Sequence, residues 1–354
     1  MQKSPYVYHG ADVSYFSGKV RPALPQKNLW YREVTPNMKA IVAKTGVAFI
    51  PILVTPEGDA WQDTSTILDN LEAAHPEPAL FPMTPAQCIV AFLIELYGDE
   101  IGILPAMHYR WSFEESAAKA RIDFAFGSGN LAAASAFADR MAAGKNLLGV
   151  SEATAPAIEA HTRDLLDALC THFEEHRFLL GDSMSLADCG LMGPFYGHLF
   201  RDAVPQRLLM QTAFGVCCWI DRMNRPPLNQ RGWLSDDTIA DTLKPVLRIM
   251  ADGIPMIRDS VAMIDDWFDA NPDKSPPRAI GLCESTYRGT KLSFMSRPYT
   301  LWMLQRPLDA YAALSDADRR SVDSALDGSG WESLLAFRPR HRIEKLNNEL
   351  TLES

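Results

Sequence analysis

Two neighbouring hydroxyl-bearing residues, Ser14 and Tyr15, lie where a short aromatic strand at residues 6–9 gives way to a predicted helix. The first backbone N–H groups of a helix have no partner inside the helix, so they and a nearby hydroxyl can face a bound anion together. In the alternative interpretation, Ser14 only caps the helix and Tyr15 is a packed aromatic with its hydroxyl at the surface. This segment is therefore a candidate anion-binding site.

A second polar pair, Asp63 and Thr64, comes directly before an apolar-periodic segment, as at the start of a capped helix. Upstream, the apolar run 48–54 contains Pro51, which cannot donate a hydrogen bond to a sheet. We therefore predict a cis bond at Ile50–Pro51, which turns the N–H and C=O of Ile50 sideways toward an extended peptide. The alternative for Asp63 and Thr64 is a helix cap without a ligand.

The apolar periodicity predicts the elements that position these residues. The first 80 residues follow the order β-α-β-α-β-β-α, which gives one sheet with both parallel and antiparallel pairs. Residues 84–224 are helical almost throughout, and one long helix is predicted at 84–104. The remaining residues, 225–354, are mostly helical with a hairpin around Gly289. The predicted fold class is an α/β domain followed by an all-α domain.

Three motifs in this order resemble the glutathione S-transferase superfamily. Strand, turn, strand, acidic cap and helix over residues 47–72 resemble the second half of its thioredoxin-like domain. Residues 13–24 resemble the strand-to-helix segment of the first half. Phe178-Leu179-Leu180-Gly181-Asp182 and Ser185-Leu186-Ala187-Asp188 resemble the motif that opens a core helix of the all-helical domain. The resemblance covers roughly the first two thirds of the chain.

The resemblance implies a GST-like two-domain architecture with an unusual C-terminal extension. Residues 1–80 would form the thioredoxin-like, glutathione-binding domain, and residues 84–224 the all-helical domain. Residues 225–354 would be a mostly helical extension packed on the helical domain, because their aromatic and Leu content needs burial.

By the same resemblance, a Ser, Cys or Tyr near the position of Ser14 meets the sulfur of glutathione. Ser14 would stabilise the thiolate by hydrogen bonding, and Tyr15 is its rival for this catalytic role, since a phenol is also a good thiolate donor. Ser17 occupies the second position of a would-be Cys-x-x-Cys motif and is a further candidate for glutathione binding. With serine at both positions, disulfide exchange is excluded at this site.

Four more residues complete the implied glutathione site. Ile50, held before Pro51, would pair with the cysteinyl part of the tripeptide. Asp63 would hold the γ-glutamyl ammonium, and the hydroxyl and N–H of Thr64 would hold the γ-glutamyl carboxylate. Family members often place a Lys shortly before the proline for the glycyl carboxylate. This sequence has Ala-Phe-Ile there, so that ligand remains unassigned.

The resemblance also implies a pocket for a second substrate between the sheet domain and the first helices of the α domain. An aromatic and Met stripe is more often core than pocket, so both interpretations stay open. The candidates for the wall are Leu96, Tyr97, Ile103, Met107, His108, Tyr109 and Trp111.

Composition narrows the class of protein. The 354 residues carry a formal net charge of -10, which disfavours nucleic acid or an anionic membrane as the main partner. The chain starts without the apolar core of a signal peptide, and its most apolar run, 88–104, is broken by acidic residues, so we expect a cytoplasmic protein. The six cysteines have no Cys-x-x-Cys pair, which predicts neither a disulfide framework nor a metal site.

Two functions follow as hypotheses. The first is a glutathione transferase-like enzyme with glutathione as cosubstrate, in which the thiolate attacks a hydrophobic, electrophilic small molecule by conjugation, dehalogenation, ether cleavage or isomerisation. The second is a non-catalytic GST-like binding or scaffold protein. A thiol-disulfide oxidoreductase is a weaker alternative, because the required cysteines are missing. Family members are commonly dimers, so a homodimer is expected.

Overall fold

The computed structural model describes residues 4–128, 130–227, 231–346 and 348–353. Its N-terminal strands are β1 (Tyr6–His9), β2 (Tyr31–Val34), β3 (Ile52–Val54) and β4 (Ala60–Gln62). They form one sheet in the order β2-β1-β3-β4. β1 and β2 run parallel, whereas β3 is antiparallel to β1 and β4 is antiparallel to β3. The prediction of a mixed sheet is confirmed.

Four helices accompany this sheet: α1 (Tyr15–Val20), α2 (Ala23–Gln26), α3 (Met38–Thr45) and α4 (Thr64–Ala74). The segment 14–26 forms two helices because Pro22, directly before α2, lacks the N–H that would continue α1. Tyr8 of β1, Leu53 of β3 and Leu68 of α4 are fully buried in the same core. Sheet and helices thus bury their apolar faces against each other.

The backbone around β3 and β4 has the features that the sequence predicted. The Ile50–Pro51 bond is cis, and a second cis bond lies at Glu77–Pro78. Asp63 caps α4 by accepting the N–H of Thr66 at 3.1 Å. Its φ of +78° is in the left-handed region that few non-glycine residues adopt, which fixes where its side chain leaves the chain.

A helical region follows, and this order of domains confirms the predicted fold class. Its helices are α5 (Pro85–Glu100), α6 (Ile103–Trp111), α7 (Glu114–Ser128), α8 (Leu131–Ala143), α9 (Ala155–Glu175), α10 (Leu186–Pro194), α11 (Ala203–Thr212) and α12 (Phe214–Asn224). The prediction of one helix over 84–104 was wrong, since the helix is interrupted between the end of α5 at Glu100 and the start of α6 at Ile103. Gly102 lies in the break, where an added Cβ would be 2.8 Å from the hydroxyl oxygen of Tyr15.

Two motifs organise the centre of the helical region. α5 and α10 approach backbone to backbone, because a Cβ on Gly98 would lie only 2.5 Å from the carbonyl oxygen of Gly190. The capping box predicted for α10 is present, with the Ser185 N–H donating to Asp188 at 2.9 Å. The indole of Trp219 donates to the same carboxylate at 2.9 Å. Among the described helices, none combines the length and apolarity needed to cross a bilayer.

The C-terminal extension contains five helices and two hairpins among its described residues. They are α13 (Leu243–Met250), α14 (Ile254–Ala270), β5 (Gly281–Tyr287), β6 (Thr290–Ser296), α15 (Pro298–Ala312), α16 (Asp316–Leu326), α17 (Glu332–Leu335), β7 (Ile343–Leu346) and β8 (Glu349–Leu352). β5 and β6 pair antiparallel around Arg288 and Gly289, which have φ of +50° and +75°. This is the two-residue turn that hairpins favour, and the predicted hairpin at Gly289 is confirmed.

The extension contacts the sheet domain as well as the helical region. α15 and α16 pack on α5. From α15, Arg306 donates to Asp69 of α4 at 2.6 Å and 2.9 Å and to Glu95 of α5 at 3.1 Å. The extension therefore reaches the helix whose N-terminus carries Asp63 and Thr64.

Candidate functional site

A cavity of about 540 Å³ lies between the sheet domain and the C-terminal extension. This size is within the range of small-molecule sites, roughly 300–1,000 Å³. The sheet domain contributes Phe16, Phe49, Ile50, Pro51, Gln62, Asp63 and Thr64, and the extension contributes Ser275, Pro276, Pro277, Arg278, Arg297, Pro298, Tyr299, Lys345, Glu349 and Leu350.

Four of the predicted glutathione-binding residues meet at this cavity: Ile50, Pro51, Asp63 and Thr64. The first residue of β3 that pairs with β1 and with β4 is Ile52. The main chain of Ile50 therefore lies outside the paired part of the sheet. Thr64 is the first residue of α4, an eleven-residue helix whose N-terminal N–H groups and dipole favour an anion. Residues that are distant in sequence therefore line one space.

Two other predicted residues lie away from the cavity. The hydroxyl of Tyr15 donates to the carbonyl oxygen of Gly98 in the interior, and burial, followed by the charge of Asp99, raises its pKa well above the ordinary value. The hydroxyl oxygen of Ser17 accepts the N–H of Ala11 at 3.2 Å, and Ser17 is fully buried. Both side chains have structural partners, and neither lines the cavity.

Ser14 caps α1, and its hydroxyl oxygen accepts the Ser17 N–H at 3.2 Å. The residue is partly exposed and lies two positions before the cavity-lining Phe16, although it is not itself part of the cavity wall. Its hydroxyl proton has no acceptor among the described residues. Ser14 can therefore donate one hydrogen bond outward while it caps the helix.

Asp63 has several donors from its own chain. Its Oδ1 accepts from the Thr66 N–H, and its Oδ2 accepts from the Tyr299 hydroxyl at 2.8 Å. The ammonium of Lys345 lies 3.5 Å from the same Oδ2. Desolvation lowers the pKa of Lys345, and the carboxylate of Asp63 opposes this shift. The site thus presents a carboxylate and an ammonium side by side.

The last hairpin, β7–β8, brings Lys345 to this position. Its ammonium also donates to the hydroxyl of Thr66 at 3.3 Å and lies 5.3 Å from the ring centroid of Trp302. From the same hairpin, the Asn348 amide donates to the carbonyl oxygen of Thr45 at 3.1 Å. No local sequence pattern marks Lys345 as a site residue, because its contact with Thr66 joins residues 279 positions apart.

A buried ionic network contacts the first turn of α4 through Ser65. The ammonium of Lys19 lies 2.6 Å from Asp99, 2.8 Å from Glu95 and 2.9 Å from the Ser65 hydroxyl. Arg306 adds a second cation on Glu95 at 3.1 Å. The cations lower the pKa of Glu95 to about 2 against its desolvation. Desolvation and the charge of Glu95 raise the pKa of Asp99 to about 7 against the attraction of Lys19.

The residues predicted to line a second-substrate pocket are mostly core. Leu96, Tyr97, Met107, His108, Tyr109 and Trp111 are buried, and none of the predicted set lines the large cavity. Burial lowers the pKa of His108, whose ring nitrogen lies 3.1 Å from Glu159. These side chains fill the space between helices, as the alternative interpretation held. Among the described residues, no three His, Cys, Asp or Glu side chains converge as a metal site.

Fold and site together define a class: a thioredoxin-like domain whose cis-proline backbone and α4 N-terminus face one cavity, followed by a helical region. Residues 9–79 match the family described as glutathione S-transferase, N-terminal domain. This match covers the sheet domain and confirms the predicted resemblance to that family.

Solved structures of glutathione S-transferases are similar to this chain at low identity. One from Rhodospirillum rubrum F11 is 17% identical, with a TM-score of 0.42, over 67% of this chain and 96% of its own. A rice enzyme in complex with glutathione is 16% identical, with a TM-score of 0.41, over 64% of this chain and 88% of its own. A β-etherase from Sphingobium sp. strain SYK-6 is 16% identical, with a TM-score of 0.46, over 63% and 96%. No curated protein matches the chain.

Proposed function

We propose that this protein is a glutathione transferase-like enzyme that activates the thiol of bound glutathione for attack on a hydrophobic, electrophilic small molecule. The observation that carries the proposal is the convergence of Ile50, Pro51, Asp63 and Thr64 on one cavity in a domain of the glutathione S-transferase family. A cytoplasmic homodimer remains the expected context.

The chemistry of the cavity fits a tripeptide with an amino-acid head. A zwitterionic γ-glutamyl group is complementary to the neighbouring Asp63 carboxylate and Lys345 ammonium, 3.5 Å apart. Its ammonium would lie toward Asp63, and its carboxylate would lie toward Lys345 and the α4 N-terminus at Thr64. The free main chain of Ile50 would pair with the cysteinyl part.

Ser14 is the proposed donor to the sulfur. A thiol with a pKa of about 8.5 is mostly protonated at neutral pH, and a hydrogen-bond donor favours its thiolate. The hydroxyl proton of Ser14, which has no acceptor among the described residues, supports this role. Tyr15 is not favoured, since its hydroxyl already donates to Gly98 in the interior. Phe16 and Phe49 in the wall suit an apolar acceptor.

One observation favours the second candidate function, a non-catalytic binding or scaffold protein. The carboxylate of Asp63 already accepts from Thr66 and Tyr299 and pairs with Lys345. A carboxylate held by three residues of its own chain can serve to dock the extension. In that case the cavity would hold no thiolate.

Calorimetric titration with glutathione, followed by a turnover assay with an aryl halide electrophile, tests the proposal. We expect Thr64→Val to weaken glutathione binding about tenfold, the usual size of one hydrogen bond to a charged group. The matched control is Thr171→Val, an exposed threonine on α9, which should bind as the wild type does. Binding without turnover would support the scaffold function, and absence of binding by the wild type would overturn the proposal.

A further inference from the structure

The extension places two arginines in the wall of the cavity, Arg278 and Arg297. The guanidinium carbon of Arg278 lies 3.8 Å from the ring centroid of Phe49, which holds the flat group over an aromatic face. Within the described chain, Arg278 forms no ion pair. Arg297 directly precedes α15, and its Nη2 lies 3.3 Å from Oε2 of Glu100.

The charge of the cavity is unusual for this chain. The protein carries a formal net charge of -10, but the cavity is lined by three cations and only two carboxylates, Asp63 and Glu349. Asp63 is already paired with Lys345. Both arginines line this cavity, and desolvation, followed by the positive charge of Arg297, lowers the pKa of Arg278, which indicates mutual repulsion of the two charges. An anion between them would remove this repulsion.

We propose that Arg278 and Arg297 form a carboxylate-binding pair that the C-terminal extension contributes to the cavity. Guanidinium groups bind carboxylates through paired, charge-assisted hydrogen bonds. Stacking on Phe49 orients Arg278 in advance, which reduces the entropy lost on binding. Arg278 stacks on Phe49, and both arginines line the same cavity as Ile50 and Pro51, where the sequence offered no lysine for a carboxylate.

Two ligands can supply this carboxylate, and the assignment to glutathione rests on the proposed function. One source is the glycyl end of glutathione. The other is an acidic group on the electrophile, in which case the enzyme prefers anionic acceptors. Both are recognised by the same chemistry, and two ligand pairs separate them.

The first ligand pair is glutathione and its glycyl ethyl ester, in which the glycyl carboxylate is blocked. The second pair is S-(4-carboxybenzyl)glutathione and S-benzylglutathione, which differ by a carboxylate on the acceptor side. Dissociation constants are measured by calorimetry for the wild type, Arg278→Gln and Arg297→Gln. Arg320→Gln is the matched control, because Arg320 is exposed on α16 and does not line the cavity. Arg278 is exposed, so we expect Arg278→Gln to fold normally. This variant therefore tests binding even if Arg297→Gln perturbs the fold.

If the pair binds the glycyl carboxylate, Arg278→Gln weakens glutathione binding about tenfold and leaves binding of the glycyl ethyl ester unchanged. If it binds an acidic acceptor, the same loss is confined to the carboxybenzyl conjugate. Either result supports the carboxylate pair. Equal affinities of Arg278→Gln and Arg320→Gln for all four ligands would overturn it.

Failure of the proposed function has a different signature. If the wild type binds none of these four ligands, titration with succinate tests the carboxylate pair on its own. Succinate binding that Arg278→Gln weakens, but Arg320→Gln does not, would keep the carboxylate pair and exclude the glutathione function. Absence of succinate binding as well would overturn both proposals.

Discussion

The phenol of Tyr299 donates a 2.8 Å hydrogen bond to Oδ2 of Asp63, a residue 236 positions earlier in the chain. Desolvation, followed by the charge of Asp63, raises the pKa of Tyr299 well above its ordinary value, so the donor stays protonated. Both residues line the cavity, and Asp63 also caps α4. This bond therefore couples the extension directly to the cap of the helix at the candidate site.

Replacing Tyr299 with Phe removes that donor and leaves the ring in place. A hydrogen bond to a charged group contributes about 1.5–3 kcal/mol, so we expect Tyr299→Phe to lower the free energy of unfolding by about 2 kcal/mol. Urea denaturation measures this change. The matched control is Tyr311→Phe, which removes a 2.7 Å bond to Asp323 at an exposed position of the same helix. Solvent competes there, so a loss below about 0.5 kcal/mol is expected. Equal losses in the two variants would contradict a special role for the Asp63 contact.

The buried Asp99 makes stability depend on pH. Its pKa rises from 3.8 to about 7, with desolvation as the main cause. Because the folded state binds this proton more tightly than the unfolded state, the contribution to stability is fully present below about pH 4 and is lost as the pH rises through about 7. We expect wild type to lose stability relative to Asp99→Asn over this interval, by at most about 1.4 kcal/mol per pH unit.

Urea denaturation of both proteins at several pH values measures this difference. His172, whose pKa burial lowers to about 4, titrates in both proteins and cancels in the comparison. Asp316→Asn, at an exposed position of α16, serves as the control and should follow the wild-type profile. Parallel profiles for wild type and Asp99→Asn would mean that Asp99 keeps its charge across the whole range.

A variant of Lys345 tests how the γ-glutamyl group of glutathione is oriented in the site. If its ammonium holds the γ-glutamyl carboxylate, Lys345→Met weakens glutathione binding about tenfold in calorimetry. Lys291→Met, on the exposed face of β6, is the control and should bind as the wild type does. Tighter binding by Lys345→Met would reverse the assignment, because Lys345 would then compete with the ligand ammonium for Asp63.

Local sequence patterns were sufficient to predict the cis bond and the helix cap of the sheet domain. Pro51 inside an apolar run predicted the cis bond, and Asp63 before an apolar-periodic segment predicted the cap of α4. Each signal spans only a few residues, because strands, turns and caps are decided by neighbouring side chains. The hairpin at Gly289 was found for the same reason.

The wall that the extension adds could not be predicted in this way. Tyr299 and Lys345 reach Asp63 only through tertiary packing, and neither lies in a motif. The direction of Tyr15 is also a tertiary effect. Its ring packs against Gly193 of α10, where an added Cβ would lie 2.9 Å from it, and this places the hydroxyl in the interior. The local pattern of a six-residue helix is too short to show which of its faces turns inward.

The sequence left open whether Ser14 or Tyr15 donates a hydrogen bond to the sulfur of glutathione. Variants of the two residues should differ in their effect on the pKa of the bound thiol. We expect Ser14→Ala to lower turnover with an aryl halide about 100-fold, a typical effect of removing one preorganised donor, while glutathione binding changes little. The ultraviolet absorbance of the thiolate, followed against pH, should report a raised pKa for the bound thiol in this variant. Tyr15→Phe should leave that pKa unchanged and lower stability instead, because it removes a buried hydrogen bond to Gly98. A raised thiol pKa in Tyr15→Phe alone would transfer the proposed role from Ser14 to Tyr15.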